Sequence, residues 1–556
     1  MFVELLSVLL LFLLIYYYLT KQKYEYWKKR GVPGPKPSLF VGNIGETIKM
    51  KKLLGLVLAE IYQNYPDLPF VGIFLGKKRA LLVRDPEFIK NITVKDFGHF
   101  VDNDGFVDMK VDPILGRHPF YLKGDDWKHV RGQLTPCFTT AKMKVIFPLI
   151  AQNCQKFVDC ISRQEDAFNR NGIEAKSLCI KYTLQNVSNI AFGVDSDCFN
   201  DPNDEFIDLA RNILQPDTKQ AIKSVLVKLC PSIFSFLSIK IISKDVENRL
   251  QELVTNNLNY REKHNIVIND FLNVLSTLKK THRDFTDMDV TAHAAGFFGD
   301  GYETSSIAMS FVLFELSCNP EVQDKLRKEL ESFEEPLSYE TLQGFTYLDA
   351  VVTESLRKNP PVFSLTKTCT KPYVYRASAS DFQNISVSLE SGTAVVIPVY
   401  ALQHDSKYFH DPESFVPERF LDDNKNDLYK YTYLPFGEGP RMCLGQRFGL
   451  MQIKAAVAYV IKNFVLTLHK KTQLPLKLNP SYVMMSPIGG FSSSGGMLHL
   501  VKKCEKCSAC LPLASKLALK SPSLRLARYC YKHRTAADKA LVLFQRHRFS
   551  INRASK

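Results

Sequence analysis

The stretch from Leu434 to Gly445, LPFGEGPRMCLG, places one cysteine, Cys443, in a stiff loop rich in glycine. A long helical pattern follows, so the sequence predicts the thiol at a helix N-terminus, where the helix dipole and free N–H groups favour the thiolate. Gly439 and Gly445 allow a flat ligand to approach the backbone closely, and Arg441 can pair with an acidic group on that ligand.

Three interpretations of Cys443 are open at this point. It can be an inert cysteine buried in a turn, or one ligand of a zinc site. Structural zinc needs about four protein ligands, and the loop supplies only one cysteine and no histidine. A lone thiolate better suits a metal that brings its other ligands, as haem does with four porphyrin nitrogens and one axial ligand from the protein.

An acid and a hydroxyl, Glu303 and Thr304, are adjacent in GDGYETS, within a long helical pattern that Thr286 can cap. Such a pair can form a short proton relay in a water-poor site, or Glu303 can be a solvated charge on a helix face. Asp300 precedes Thr304 by four residues and shares its face. A carboxylate on a buried face is unfavourable unless it is paired or neutralised.

Together these motifs resemble the cytochrome P-450 monooxygenases, whose haem-binding signature is F-x-x-G-x-R-x-C-x-G. The matching residues are Phe436, Gly439, Arg441, Cys443 and Gly445. The resemblance covers roughly residues 30–503. It implies a mainly α fold with small β-sheets in a single large domain, and haem b (iron protoporphyrin IX) with Cys443 as the axial ligand of the iron.

The resemblance also implies roles for residues outside the loop. Trp127 and Arg131, in W-x-x-x-R, are expected to contact a haem propionate. Lys367 stands where the family often has an arginine; lysine keeps the charge but loses the bidentate fork. Glu303 and Thr304 are expected to deliver protons and activate dioxygen.

Glu354 and Arg357, three residues apart on one helical face, resemble the E-x-x-R pair of the family. Arg419, in FVPERF, is expected to join them, so that one carboxylate bridges two guanidinium groups and holds the loop of Cys443 in place. The alternative is a set of surface ion pairs, each contributing under about 1 kcal/mol.

Asp300 departs from the family, which usually has a small residue there. A glutamate at this position in a related branch forms an ester with a haem methyl group. We therefore hypothesise that Asp300 makes such an ester, polarises the pocket or meets a cationic substrate. The simpler alternative is a hydrogen bond to water or to the backbone.

The implied reaction inserts one oxygen atom of O2 into a hydrophobic small molecule. No flavin or nicotinamide fingerprint is seen in the chain, so the resemblance implies electrons from an NADPH-dependent flavoprotein reductase, with cytochrome b5 as a further partner. A basic docking face is hypothesised from Lys128, Lys142, Lys144, Arg441 and Arg447. A non-catalytic haem-thiolate protein that binds or senses hydrophobic ligands is the alternative function.

The elements that position these residues follow from local patterns. Residues 1–20 are predicted to be a transmembrane anchor, 21–37 a basic, proline-rich hinge, 38–503 the haem-thiolate domain, and 504–556 a disordered basic tail. Basic residues after the apolar run predict a single-pass protein of the endoplasmic reticulum with its domain on the cytosolic side. The motifs resemble most the animal microsomal branch, and in particular its insect detoxification-type members.

Two strand segments and two helix starts are predicted inside the large domain. The stretch 70–83 reads as a hairpin turning near Gly76, and 391–399 as a strand. Asp85 before Pro86 and Asn319 before Pro320 mark helix N-termini.

The charge distribution argues against nucleic acid as a partner. The net charge is +15, but residues 502–556 hold 14 Lys and Arg against 2 acidic residues, a net +12, which leaves +3 for the first 501 residues. The basic character therefore belongs mainly to the tail. The thirteen cysteines are scattered along the chain without a dense framework, which predicts a reduced protein facing the cytosol.

Overall fold

The computed structural model describes residues 2–168, 172–214, 238–268, 270–377, 385–421, 430–470, 472–482, 484–487 and 497–502. The chain divides into two units, Met1–Val501 and Lys502–Lys556. The tail predicted at 504–556 lies outside the described residues.

The described residues are mainly helical. The helices are α1 Phe2–Tyr24, α2 Tyr26–Lys29, α3 Gly45–Ile48, α4 Leu54–Gln63, α5 Pro86–Lys90, α6 Pro113–Gly116, α7 Gly124–Leu134, α8 Thr140–Arg163, α9 Ala175–Val187, α10 Glu205–Leu214, α11 Lys244–Lys263, α12 Phe271–Thr281, α13 Asp287–Cys318, α14 Pro320–Leu330, α15 Tyr339–Gly344, α16 Thr346–Lys358, α17 Val399–Gln403 and α18 Gln446–Asn463.

The strands form three small sheets. They are β1 Phe70–Leu75, β2 Lys78–Val83, β3 Asp102–Asn103, β4 Ile173–Glu174, β5 Leu365–Thr368, β6 Tyr373–Arg376, β7 Ser386–Leu389, β8 Ala394–Ile397, β9 Phe464–Leu468 and β10 Met497–Lys502. The largest sheet has the order β1-β2-β8-β5-β3, the second β4-β10-β9 and the third β6-β7. The mainly α fold with small sheets is as predicted.

Local sequence signals explain several of these boundaries. β1 and β2 pair antiparallel around Gly76, which has a φ of +61°, so the predicted hairpin is confirmed. The predicted strand at 391–399 is shorter, as β8. Asp85 accepts from the Glu87 N–H and caps α5 as expected. The side chain of Asn319, in contrast, does not cap α14, because its amide donates to the Glu315 carbonyl at the end of α13 (2.8 Å).

Helix α13 is the central element of the helical part of the fold. Thr286 and Asp289 form a capping box at its start, as the sequence predicted for Thr286. The helix packs against α9, α8 lies against α18, and α18 also contacts α13. The large buried cluster of this region is separate from a second cluster around the largest sheet. The candidate site lies where α13, α18 and that sheet meet.

Helix α1 is attached at its C-terminal end to the β1–β2 hairpin. The ring of Tyr16 stacks on Phe40 with centroids 5.3 Å apart, and the Tyr24 hydroxyl donates to the Gly76 carbonyl (3.2 Å). Among the residues that the structure describes, no helix is long and apolar enough to cross a membrane. The transmembrane anchor at 1–20 thus stays a prediction from the sequence.

Candidate active site

The loop before α18 holds Cys443 by backbone hydrogen bonds. The Cys443 N–H donates to the Phe436 carbonyl (2.8 Å), and α18 begins three residues later, so the predicted position at a helix N-terminus is confirmed. Gly439 has a φ of +74°, and a Cβ there would lie 1.9 Å from the Thr93 carbonyl oxygen. The space at Gly439 is therefore taken by the protein's own backbone. At Gly445 a Cβ would meet only Phe138, at 3.9 Å.

The Cys443 thiol faces a cleft inside the fold. The Cys443 side chain is open to this cleft, yet desolvation by the surrounding protein and the charge of Asp300 raise the pKa of the thiol to about 11, while the Gly445 N–H and Arg131 act in the opposite direction. Burial thus outweighs the helix N-terminus, contrary to the expectation that the loop alone favours the thiolate. A metal cation bound to the sulfur would reverse this preference, because a coordinating thiol is deprotonated.

Arg441 anchors the loop to the segment that precedes α7. Its guanidinium lies 4.0 Å from the centre of the Trp127 ring. Its three nitrogens donate to the carbonyls of Val101 (2.8 Å), Pro119 (2.9 Å) and Leu122 (2.8 Å). These contacts leave its side chain 3% exposed. The hypothesis that Arg441 belongs to a docking surface is therefore wrong.

Four cationic side chains converge around this point: Lys123, Arg131, Lys367 and Arg441. We call them the cation cluster. Burial together with Arg441 and Lys123 lowers the pKa of Lys367 to about 7, and burial lowers the pKa values of Lys123 and Arg131. Burial and Arg131 lower the pKa of Arg441 to about 10.

Little negative charge balances the cation cluster. Asp102 lies 3.6 Å from the Arg441 guanidinium, and Asp104, also nearby, is paired with Lys78. The Lys367 ammonium is bonded to a neutral group, Asn103 Oδ1, at 2.7 Å. Buried cations of like sign are unfavourable unless an anion compensates them. The two propionate carboxylates of haem are anions of the required kind, so this donor set and the Cys443 thiol fit haem.

Across the cleft, α13 presents Asp300 and Thr304. The Thr304 hydroxyl donates to the Asp300 carbonyl (2.6 Å), and the Asp300 Oδ2 atom lies 3.1 Å from His118 Nε2. Asp300 is near enough to Cys443 for its charge to raise the pKa of that thiol. The structure therefore brings Asp300, Thr304 and Cys443 to one cleft.

The Glu303 carboxylate is held away from Thr304 by other partners. Lys176 Nζ and the Tyr482 hydroxyl each donate to Glu303 Oε1 at 2.5 Å, and Glu303 is 3% exposed. Burial and the Glu303 charge raise the pKa of Tyr482, so its hydroxyl remains a donor. The structure places the predicted acid in a buried ion pair, and the solvated helix-face alternative for Glu303 is wrong.

Glu354, Arg357 and Arg419 meet as the sequence predicted. Arg357 donates to both Glu354 oxygens (2.7 and 2.9 Å), and Arg419 Nε donates to Glu354 Oε1 (3.2 Å). Gln403 links this group to the cysteine loop, because it donates to the Arg357 carbonyl (2.7 Å) and accepts from the Leu434 N–H (2.9 Å). The surface ion-pair alternative is excluded, since Glu354 and Arg357 are fully buried.

Sequence reasoning missed several residues of this site. Lys123 and Asn103 in the cation cluster, His118 beside Asp300, and Lys176 and Tyr482 beside Glu303 were not singled out. His118, Lys176 and Tyr482 lie more than a hundred residues from their partners, and Lys123 meets Arg441 and Lys367 only through the fold, so no spacing signal marks these contacts.

Comparison with known proteins agrees with this geometry. A family model described as Cytochrome P450 matches residues 32–492. Cytochrome P450 6j1 of Blattella germanica is 37% identical over 481 residues, which cover 86% of this chain and 94% of the relative. Cytochrome P450 9e2 of the same species is 33% identical over 515 residues (86% and 95%). A probable cytochrome P450 9f2 of Drosophila melanogaster is 30% identical over 499 residues (86% and 96%).

Proposed function

Because this chain belongs to the cytochrome P450 family of haem-thiolate monooxygenases, we propose that it inserts one oxygen atom of O2 into a hydrophobic small molecule. The electrons come from an NADPH-dependent flavoprotein reductase, with cytochrome b5 as a further donor. The observation that carries the proposal is the cation cluster beside Cys443, which has too little negative charge of its own.

The residues of the cleft divide the work between binding and proton handling. Cys443 would hold the haem iron through its sulfur, and the cation cluster would hold the propionates, with Trp127 supporting Arg441. When bound, haem supplies the chemistry of dioxygen activation, which a thiolate ligand directs toward O–O cleavage. Thr304 holds a proton at its hydroxyl in the cleft, and Lys176 and Tyr482 fix the Glu303 carboxylate by hydrogen bonds.

The substrate class is proposed from the apolar side chains near the cleft. Phe106 and Phe120 are 56% and 50% exposed in the segment that contains His118, the partner of Asp300 in the cleft. Such apolar walls favour a hydrophobic substrate.

The test is reconstitution of the full-length chain with haem and an NADPH-dependent reductase, followed by a substrate screen. Reduced, CO-treated protein should show the Soret band of a sulfur-ligated haem. Cys443→Ser should lose that band and all NADPH-dependent product. Cys318→Ser, which removes an exposed thiol at the end of α13, should keep both.

Two results would contradict the proposal in different ways. Wild-type protein without a thiolate Soret band would exclude the haem-thiolate site. A normal Soret band without reductase-dependent product from any hydrophobic compound would favour the alternative function, a haem-thiolate protein that binds or senses ligands.

We also propose that residues 1–20 anchor the protein in the endoplasmic reticulum membrane as a single pass, with the domain on the cytosolic side. The support is the apolar sequence of residues 2–19 and the lysines that follow it. Full-length protein should resist carbonate extraction from microsomes. Changing Leu9 and Leu13 to Lys should release it, whereas the control Val267→Lys, at an exposed site, should not.

A further inference from the structure

The segment before α7 lies along one face of α13 and pairs with it at two points. Arg117 Nε donates to Asp289 Oδ1 at 3.0 Å. About three turns farther along the helix, His118 Nε2 lies 3.1 Å from Asp300 Oδ2. Between these contacts stands Gly296, where a Cβ would lie 2.8 Å from the His118 ring. The absence of a side chain at Gly296 therefore gives the His118 ring room to reach Asp300.

The hydrogen bonds of His118 define its protonation state. The Phe120 N–H donates to His118 Nδ1 at 3.1 Å, so Nδ1 is an acceptor and the ring proton is on Nε2, pointing at Asp300. Burial lowers the pKa of His118, but the charge and hydrogen bond of Asp300 outweigh it, so the pKa lies above its ordinary value. A second ring proton would have to face the Phe120 N–H. While Nδ1 accepts this N–H, the ring is uncharged and holds the Asp300 carboxylate in place through Nε2.

The Asp300 carboxylate faces the cleft rather than the core. Among residues 288–317, all of which are described, only Asp300 is exposed, with 72% of its side chain accessible against 14% for His118. Its Oδ1 atom has no hydrogen bond to any residue that the structure describes. The nearby Tyr121 stays uncharged, because burial, Asp300 and Asp112 raise its pKa to about 12.

The cations in the neighbourhood do not neutralise this carboxylate. Arg117 is paired with Asp289, and Arg441 is held by three backbone carbonyls on the cysteine side. Among the described residues no lysine or arginine is therefore paired with Asp300, and the half-exposed ring of Phe120 lies beside its partner His118. In such surroundings a charge is stabilised chiefly by an opposite charge.

We propose that the Asp300–His118 pair is a substrate anchor, which selects hydrophobic substrates that carry a positively charged nitrogen. This inference rests on the proposed function, since it names the substrate class of the same cleft. Asp300 supplies the charge. His118 is a positioning residue that fixes the carboxylate through Nε2.

The test uses a pair of ligands with the same shape and different charge, phenyltrimethylammonium and tert-butylbenzene. The quaternary nitrogen has no lone pair and cannot ligate iron. Any preference for phenyltrimethylammonium over tert-butylbenzene therefore comes from the side chains of the pocket. Binding to haem-loaded, full-length protein is measured by equilibrium dialysis and by the Soret shift, and the ratio of the two affinities is compared among variants. The variants are Asp300→Asn, Asp300→Glu and, as a control that removes a surface carboxylate, Glu340→Gln.

Asp300→Asn should weaken phenyltrimethylammonium about tenfold, a change of about 1.4 kcal/mol, and leave tert-butylbenzene within about twofold. Asp300→Glu should keep most of the preference, and Glu340→Gln all of it. An unchanged affinity ratio in Asp300→Asn protein that shows a normal thiolate Soret band would overturn the anchor. Wild-type haem that resists acidified organic solvent, but is released from Asp300→Asn, would also overturn it, because an ester would consume the carboxylate.

Failure of the proposed function is separable from failure of the anchor. If dialysis shows the Asp300-dependent preference but no product forms with reductase, the proposed turnover is refuted and the proposed anchor still holds. Protein that oxidises neutral compounds with reductase, but has the same affinity ratio in its wild-type and Asp300→Asn forms, would refute the anchor and retain turnover.

Discussion

Two buried charge groups support the cysteine loop, and they differ in how their charges are balanced. In the first, the Glu354 carboxylate receives hydrogen bonds from Arg357 and Arg419, and the remaining arginine N–H groups reach backbone carbonyls such as those of Gln403 and His410. In the second, the cation cluster, four cations share one nearby carboxylate among the described residues, that of Asp102, because Asp104 is paired with Lys78.

The difference separates a group that holds the fold from one that holds a ligand. The carboxylate of Glu354 is already balanced by two guanidinium groups, so it requires no ligand to compensate its charge. Its role is to fix the chain around Gln403 and Leu434. The cation cluster is incomplete without an external anion, and burial together with the charges of Arg441 and Lys123 lowers the pKa of Lys367. Substitutions in the two groups should therefore affect different properties of the protein.

The largest effect is expected for Glu354→Ala. The change leaves Arg357, fully buried, without its carboxylate, and breaking a buried ion pair in this way destabilises a protein by about 3–5 kcal/mol. We expect little folded protein at 37 °C, and a lower urea midpoint for the fraction that folds. Glu418→Gln, which removes a partly exposed carboxylate paired with Lys325, is the control and should unfold near the wild-type midpoint.

Lys367→Gln should have the opposite profile. Removing one cation from a cluster of like charges should leave the urea midpoint near that of the wild type, but a propionate loses a partner. We expect haem transfer to an excess of apomyoglobin to be about tenfold faster, since a hydrogen bond to a charged group contributes about 1.5–3 kcal/mol. Equal transfer rates for the two proteins would remove Lys367 from the propionate site.

The same lysine should make haem retention depend on pH. The pKa of Lys367 is about 7 in the cation cluster alone, and a bound propionate raises it. Below about pH 7 Lys367 is protonated with or without haem, so the haem affinity is at its highest there. As the pH rises from about 7 toward the higher pKa of the haem-bound form, the affinity falls by at most about tenfold per pH unit.

Transfer rates of wild type and Lys367→Arg between pH 6 and 9 provide the measurement. Arginine stays charged throughout this range, so its profile should be flatter than that of the wild type. If both profiles have the same slope, another group is responsible for the pH dependence.

These two charge groups also show what the sequence can predict. Glu354 and Arg357 were predicted as a pair because they lie three apart on one helical face, and the family resemblance of FVPERF implied that Arg419 joins them. The sequence also identified Arg441, Trp127, Arg131 and Lys367. It did not predict the surplus of positive charge around them, because that surplus depends on Lys123 and on the ion pair between Asp104 and Lys78. Such partners are brought together only by the fold, and no local pattern specifies them.

Helix α13 also contains one feature that the sequence predicted and others that it did not. The N-cap at Thr286 was predicted from its place at the start of the helical pattern, and the structure adds Asp289 as its capping-box partner. The partners of Asp300 and Glu303, in contrast, come from segments more than a hundred residues away in the chain. The thiol of Cys443 is a third case, since its helix N-terminal position was predicted but the stronger effect of burial on its pKa was not.

The smallest effect is expected for Arg419→Lys, which tests whether the Glu354 group affects only the stability of the fold and not haem binding. Lysine keeps the positive charge but cannot donate at once to Glu354 and to the carbonyls of His410 and Asp411, as Arg419 does. Because Arg357 still satisfies both Glu354 oxygens, we expect a loss of about 1 kcal/mol in the free energy of unfolding, read from the urea midpoint. Haem transfer should stay at the wild-type rate, and a tenfold faster transfer would show that the two charge groups are not separate.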